Sequence, residues 1–297
     1  MRVWLVISSF RNDDEVLKTI EQARVSVPAL FQHILVVDSE GTGRMPVTIQ
    51  TCGWKEVEYR NYPHNLGSGA NLAERLRIAA EGGADYAYAL NHDGEIDPSV
   101  VRALLDAARG RKKLGAAYPL GYFTEPARYN LTGTRELPLP SKLFKGAPKE
   151  PIIPVYWSSS NGALYSLQAA REGILPWSAM WMGWEDLDYG WRLNDHGYEQ
   201  VIVTRAVFRD NQEYRGTRVG NVVRKPAWRS YYNIRNLVLA VRRSRNRPLY
   251  HVVIAFRFTL ECVLILLVRD DKWKRLSLLL AGARDGYRGV EGISHRW

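Results

Sequence analysis

Residues 86–97 read YAYALNHDGEID, an apolar and aromatic run that stops abruptly at a polar turn with two carboxylates and a glycine. Tyr86–Asn91 has the length and composition of a buried strand, and Gly94 lets the backbone of the following turn approach a ligand. Two earlier segments repeat the pattern of a short apolar run ending in polar residues: Val3–Ser9 and Ile34–Asp38. Helical periodicity fills the intervals at Asp14–Val25 and Asn71–Gly82. Strands alternating with helices predict an α/β chain wound in βαβ units, Rossmann-like, with a mostly parallel sheet and helices on both faces. Ligands of such sheets sit at the carboxyl ends of the strands, which is where Asp38 and Asn91–Glu95 fall.

Downstream, Tyr118–Val155 holds seven of the fourteen prolines and reads as a looser stretch that crosses the surface or frames one side of the cleft. Val155–Ser166 resumes strand-like sequence, Trp184–Gly197 reads as a helix, and Val201–Val207 as a strand. From Ala227 the pattern is helical. The expected division is therefore an α/β domain over 1–222 and a basic, helical C-terminal segment over 223–297.

Charge sharpens that division. The chain carries a net +10, and residues 224–275 alone hold thirteen Lys/Arg against three Asp/Glu. The remaining 28 basic and 28 acidic residues cancel, so the basicity belongs to the C-terminal segment. Such a segment faces anionic phospholipid, a pyrophosphate-bearing acceptor or nucleic acid, or else is a solvated helical face or a contact to a second copy of the chain. His251–Val268 is the longest apolar stretch, but Arg257 and Glu261 in its middle make it a poor bilayer span. The N-terminal MRVWLVISSF reads as a first strand and not as a signal peptide. Two distant cysteines, Cys52 and Cys262, exclude a disulfide framework and point to a reducing cytoplasm.

Three segments carry candidate chemistry. Asp93 and Glu95 offer hard oxygen ligands at a strand end, which suit Mg²⁺ or Mn²⁺ already bound to a diphosphate, though two acids in a turn are commonly just solvated. In WEDLDYGWR (Trp184–Arg192), acids at a helix start can simply satisfy the helix dipole. The flanking tryptophans favour another use: aromatic faces hold a sugar ring while a carboxylate takes a proton from a hydroxyl. NLGSGAN (Asn65–Asn71) opens a helix but lacks both the GxGxxG spacing and a Walker lysine, so a plain N-terminal turn is preferred to a phosphate cradle. His64, His92 and His196 show no HxxxH arrangement, and no GxSxG motif occurs.

In the order of its motifs the chain resembles the family 2 glycosyltransferases, inverting enzymes of GT-A fold, over roughly residues 1–240. HILVVDSEGTG (His33–Gly43) is similar to the family's second strand, and the resemblance places Asp38 at the nucleoside. It assigns Ser8, Arg11, Asn65, Gly67, Asn91, His92, Asp93 and Arg209 to the nucleotide-sugar donor, and Asp93 and Glu95 to a divalent metal (Mg²⁺ or Mn²⁺). SSSNGALYS (Ser158–Ser166) resembles the small-residue strand of the acceptor cleft, implying acceptor contacts from Trp157, Asn161, Gly162, Trp181 and Trp184. WEDLDYGWRLNDHGYE (Trp184–Glu199) is particularly similar to the corresponding helix of rhamnosyl- and galactofuranosyltransferases. It implies Asp186 as catalytic base, with Glu185 as its competitor and Arg192 tying the helix to the sheet. The histidine usual after the next strand is absent: Val207–Asn211 reads VFRDN, leaving Arg209 for the diphosphate or Asp210 for the metal. WRSYYNIRN (Trp228–Asn236) resembles the family's tyrosine-rich helix leading to an Arg-Asn pair, a segment that often precedes membrane-associated helices.

The resemblance implies transfer of a sugar from dTDP-rhamnose, or a UDP-sugar such as UDP-galactofuranose, to a hydroxyl of a glycan, glycolipid or natural product. It implies no nucleic-acid partner, and a cytoplasmic protein that could sit at the inner face of the membrane. The rival readings are a sugar nucleotidyltransferase, against which Ser8–Asp14 lacks the expected glycine, and a non-catalytic nucleotide-sugar or RNA binder, for which the acids of Glu185–Asp188 have no use.

Overall fold

The computed structural model describes residues 1–26, 30–92, 94–124, 127–134, 142–209, 226–244 and 250–294. Three strand expectations hold nearly to the residue: β1 is Val3–Phe10, β2 is His33–Ser39 and β4 is Tyr86–Leu90. Between them lie α1 (Asp13–Ser26), α2 (Arg44–Thr51), β3 (Val57–Tyr62) and α3 (Gly67–Glu81). Then follow α4 (Pro98–Ala108), β5 (Leu114–Thr124), β6 (Ala127–Leu131), β7 (Lys142–Phe144), β8 (Ile152–Pro154), β9 (Ala163–Ser166) and the short α5 (Gln168–Arg171). The chain continues through α6 (Glu185–Asp195) and β10 (Glu199–Arg209) into α7 (Trp228–Arg243), α8 (Tyr250–Leu267) and α9 (Lys272–Arg288).

The sheet runs β3-β2-β1-β4-β9-β5-β10-β8. β3, β2, β1 and β4 are mutually parallel, as are β5 and β10, while β9 is antiparallel to both β4 and β5. Alternation along β1 sends Leu5 and Ile7 to one face and Val6 to the other. α1, α2 and α4 cover the first face through Val16, Met45 and Leu104, and α3, α5 and α6 cover the second through Leu76, Ala169 and Leu193.

Two sequence expectations change. The proline-rich stretch is not loose throughout: β5 passes through Pro119 in the middle of the sheet. Pro119 pairs with Val203, and the next pair is Leu120 with Val207, so β10 bulges where the proline can give no N–H. Conversely, of Val155–Ser166 only Ala163–Ser166 is strand; just before it, Asn161 and Gly162 bond to the end of β4.

α7, α8 and α9 are not a detached appendage. Met180, Leu187 and Trp191 share one buried core with Leu237 and Val238 of α7, Ile254 and Ile265 of α8, and Leu279 of α9. α9 lies close on α7 because Gly282 carries no side chain; a Cβ there would sit 2.4 Å from the Tyr231 carbonyl oxygen. The boundary expected near residue 222 falls outside the described residues.

Candidate active site

The carboxyl ends of β1, β2 and β4 lie side by side at one edge of the sheet, as their parallel pairing requires. Asp38, second-last in β2, is fully buried; one carboxylate oxygen accepts from the Tyr59 hydroxyl at 2.8 Å, while the other has no hydrogen-bond partner. Burial raises its pKa, against the pull of Tyr59 and Ser9. Beside it, Asp13 also keeps one buried oxygen unpartnered. Such orphaned acceptors suit a ligand bringing hydroxyl or N–H donors.

From Asp38 the rim continues through Ser8, whose hydroxyl donates to Asn91 Oδ1 at 3.3 Å, and Asn91, whose N–H donates to Asn161 Oδ1 at 3.0 Å. The Gly162 N–H closes the turn onto the Ala89 carbonyl at 2.8 Å. α1 pins the segment after β4: Gln22 donates to the Ile96 carbonyl at 3.1 Å. Ser8, Asn91, Asn161 and Gly162 thus form one connected edge. Arg11 and Arg209 lie at its exposed ends, Arg11 paired with Glu40 and Arg209 near enough for its charge to act on Asp97. His92 is half-buried and Glu95 exposed, while Asp93 and Asp210 lie outside the described residues.

The described residues bring no three His, Cys, Asp or Glu side chains together around a cation site. Glu95 projects into solvent, and Asp97 is spent capping α4, accepting from the Ser99 N–H at 2.8 Å. The described donor set alone does not fit a divalent ion.

α6 starts abruptly. Trp184 holds the left-handed conformation (φ 67°), and Glu185 and Asp186 follow in the first turn. Glu185 Oε2 and Asp186 Oδ1 are buried without hydrogen-bond partners. Burial, then repulsion from Glu185, pushes the Asp186 carboxyl up to about 8, while Ser160 and the distant Arg75 hold it down. Glu185 is also raised, by burial first, with Ser68 and Arg229 opposing. Two adjacent acids in a dry site are an arrangement for holding and moving a proton.

Sequence reasoning missed Arg75. It lies buried within α3, one guanidinium nitrogen donating to the carbonyls of Val6 in β1 and Leu90 in β4, both at 3.0 Å. Burial lowers its pKa to about 10, and Tyr165 and Asp186 act the other way. In the sequence it is one charge among several in an amphipathic helix.

The aromatic set gathers around the entry to α6. The Trp157 and Trp184 rings lie 6.3 Å apart, and Trp181 packs against Trp228 at 5.7 Å and Tyr232 at 4.9 Å. The Trp184 indole N–H donates to the Asn233 carbonyl at 2.8 Å. Asn236 donates to the carbonyls of Met182 and Gly183 at 2.9 and 2.8 Å and so holds the loop that leads into α6, while Arg235 donates to Asn236 Oδ1 at 2.9 Å. Asn65 and Gly67 join this side as well. Asn65 Oδ1 accepts the Gly67 N–H at 2.8 Å, the Asn65 carbonyl accepts the Trp181 indole N–H at 3.3 Å, and Ser68 N–H donates to the Trp181 carbonyl at 2.8 Å. Arg192 does not reach the sheet; it donates to the Leu175 carbonyl in the loop after α5, because α6 turns that face toward the loop.

TarS from S. aureus superposes over 96% of this chain and 81% of its own, with TM-score 0.60 and 10% identity. A mannosyltransferase from Pyrobaculum calidifontis, solved with GDP-Man and Mn²⁺, covers 99% of this chain and 77% of its own, with TM-score 0.56 and 12% identity. The fold is that of the GT-A glycosyltransferases. A second TarS structure, in complex with UDP-GlcNAc, gives TM-score 0.56 at 11% identity over 97% of this chain and 92% of that one. In sequence, the chain is 28% identical over 173 residues to the galactofuranosyltransferase GlfT1 of Mycobacterium tuberculosis. That match spans 55% of this chain and 55% of the relative, so it reaches about half the length of the curated protein it resembles. No family model matches the chain.

Proposed function

We propose that the chain is an inverting glycosyltransferase that moves a sugar from a nucleotide-diphosphate donor to an acceptor hydroxyl. The buried Glu185–Asp186 pair, joined through Ser160 to the Ser8–Asn91–Asn161 edge within a glycosyltransferase fold, is the observation that carries the reading. GlfT1's name favours a galactofuranosyl donor for first trial, with dTDP-rhamnose as the second. The acceptor is a glycan, glycolipid or natural product. Residues 1–222 form the catalytic domain and 223–297 its helical companion, in a cytoplasmic protein peripheral to the inner membrane face.

In this scheme Asp38 receives the nucleoside on its unpartnered oxygen. Ser8, Arg11, Asn91, His92 and Arg209 line the path of the diphosphate, and Asn65 and Gly67 shape the wall behind the Trp181 loop. Trp157, Trp181 and Trp184 offer faces to the acceptor sugar, with Asn161 and Gly162 at its reacting end. Asp186, ionised, takes the acceptor O–H proton as that oxygen bonds to the anomeric carbon. The bond from that carbon to the diphosphate oxygen breaks, its electron pair leaving with the nucleotide. Attack from the face opposite the leaving group inverts the carbon. Glu185 stores negative charge beside the base and raises its affinity for the proton. Asp93, together with Glu95, would hold Mg²⁺ or Mn²⁺ on the bound diphosphate, where the ion would neutralise its charge.

Calorimetric titration of nucleotide diphosphates and nucleotide sugars, with Mn²⁺, Mg²⁺ or chelator, tests the reading. One nucleotide class should bind and weaken at least about tenfold in Asp38→Asn, roughly the worth of one charge-assisted hydrogen bond. Metal dependence lost in Asp93→Ala would place the ion. Binding of none of these ligands overturns the proposal.

A further inference from the structure

α8 is turned inside out. Along Val252–Leu267 every exposed residue is apolar except Thr259. Val252, Phe256, Leu260, Val263 and Leu267 recur at helical spacing as one stripe, with Phe256 64% and Leu267 76% exposed. Its two charged residues point inward instead. Arg257 lies 4.7 Å over the Trp184 ring, and Glu261 pairs with Arg269, accepting a hydrogen bond from it at 3.1 Å. Contiguous exposed apolar surface of this kind marks an interaction face.

The surroundings say what covers it. Just past the stripe, Trp273 is 84% exposed between Lys272 and Lys274, also exposed, and Arg284 and Arg288 are exposed further along α9. The exposed acids of this hairpin are Asp270 and Asp271, and Asp270 is tied to Arg275. An apolar stripe bordered by a tryptophan and cations matches the depth profile of a membrane interface, with acyl chains beneath and anionic headgroups above. A second copy packed by two-fold symmetry would bring this basic rim against itself. α8 is long and apolar enough by composition to cross a bilayer. Ile254 and Ile265 are nevertheless buried against the body, and Arg257 is seated on Trp184, so one side is covered by protein. That seating suits a helix lying in the plane of a membrane surface rather than across it.

We propose that the outward faces of α8 and α9 dock the protein on an anionic lipid surface, with Phe256 and Leu267 inserted and Lys272, Trp273 and Lys274 at headgroup level. This deepens the partner side of the transferase reading and rests on it only for the acceptor that such docking serves.

Flotation of the full chain with vesicles of phosphatidylcholine, alone or mixed with phosphatidylglycerol, tests it without donor or acceptor. Failure here therefore leaves the transferase reading intact, and failure of nucleotide binding leaves this one intact. Co-flotation with the anionic vesicles is expected, at least about tenfold above phosphatidylcholine alone and falling with salt. Phe256→Asp with Leu267→Asp should abolish it, and Lys272→Glu with Lys274→Glu should remove the preference for anionic lipid. Both pairs sit on the surface, so their melting curves should match the parent's. Absence of flotation, or equal flotation of the Asp pair, overturns the proposal. A lipid-indifferent dimer that the Asp pair dissociates would assign the face to self-association instead.

Discussion

Asp186 and Glu185 compete for protons in a site that disfavours both charges, so the base in the proposed reaction is only partly ionised at neutral pH. Turnover should rise with pH through the region near 8 that burial and Glu185 set for Asp186. Removing the neighbouring charge with Glu185→Gln should move that rise to lower pH, and Arg75→Met should move it higher, because the guanidinium favours the carboxylate. Asp186→Asn should lower turnover by about 10²–10⁴-fold while sparing donor binding. Stability gives an independent readout. A carboxyl whose folded pKa lies above its unfolded value loses stability as pH rises between the two, so Asp186→Asn should melt higher than the parent by a margin that widens from pH 4 to 8. The two acids were legible in WEDLDYGW because tryptophans flanked them. Arg75 was not, because Arg77 in the same helix pairs with Glu74 and Glu81 at the surface. Only the packing of α3 on β1 and β4 decides which arginine goes inside.

Among the elements, the start of α3 is the most constrained. Gly67 has φ 73°, and a Cβ would lie 2.0 Å from the Trp181 carbonyl oxygen. Gly67→Ala should therefore destabilise by more than the roughly 1 kcal/mol of left-handed strain alone. Gly43→Ala, at φ 85° with nothing within 4 Å, isolates that strain term for comparison in denaturant titrations. β1, β2 and β4 were readable because each is buried on both faces and so appears as a continuous apolar run. β3, at the sheet edge with exposed Arg60 and Asn61, carries no such run, and α2 has only two turns in which to show a period. β5 hid behind Pro119; nothing in the local sequence announces that β10 bulges to accommodate it.

At the scale of the molecule, α6 belongs to two cores. Leu193 faces the sheet, and Leu187 and Trp191 face α7 and α8. The full chain should therefore unfold in one thermal transition, and a fragment ending at residue 222 should aggregate or lose cooperative melting, since it uncovers Trp191 and the Met182–Gly183 backbone held by Asn236. The sequence shows a change in composition there but could not reveal this shared packing, because residues far apart in the chain make the contacts. Arg257 links α8 to Trp184: the apolar stripe of its helix faces outward, and its guanidinium rests on the ring of the residue just before the Glu185–Asp186 pair. Docked as proposed, the protein would meet a lipid-anchored acceptor by two-dimensional diffusion. Its rate would follow how many acceptors occupy each unit of membrane area, and diluting the acceptor with inert lipid would slow it even at unchanged bulk concentration.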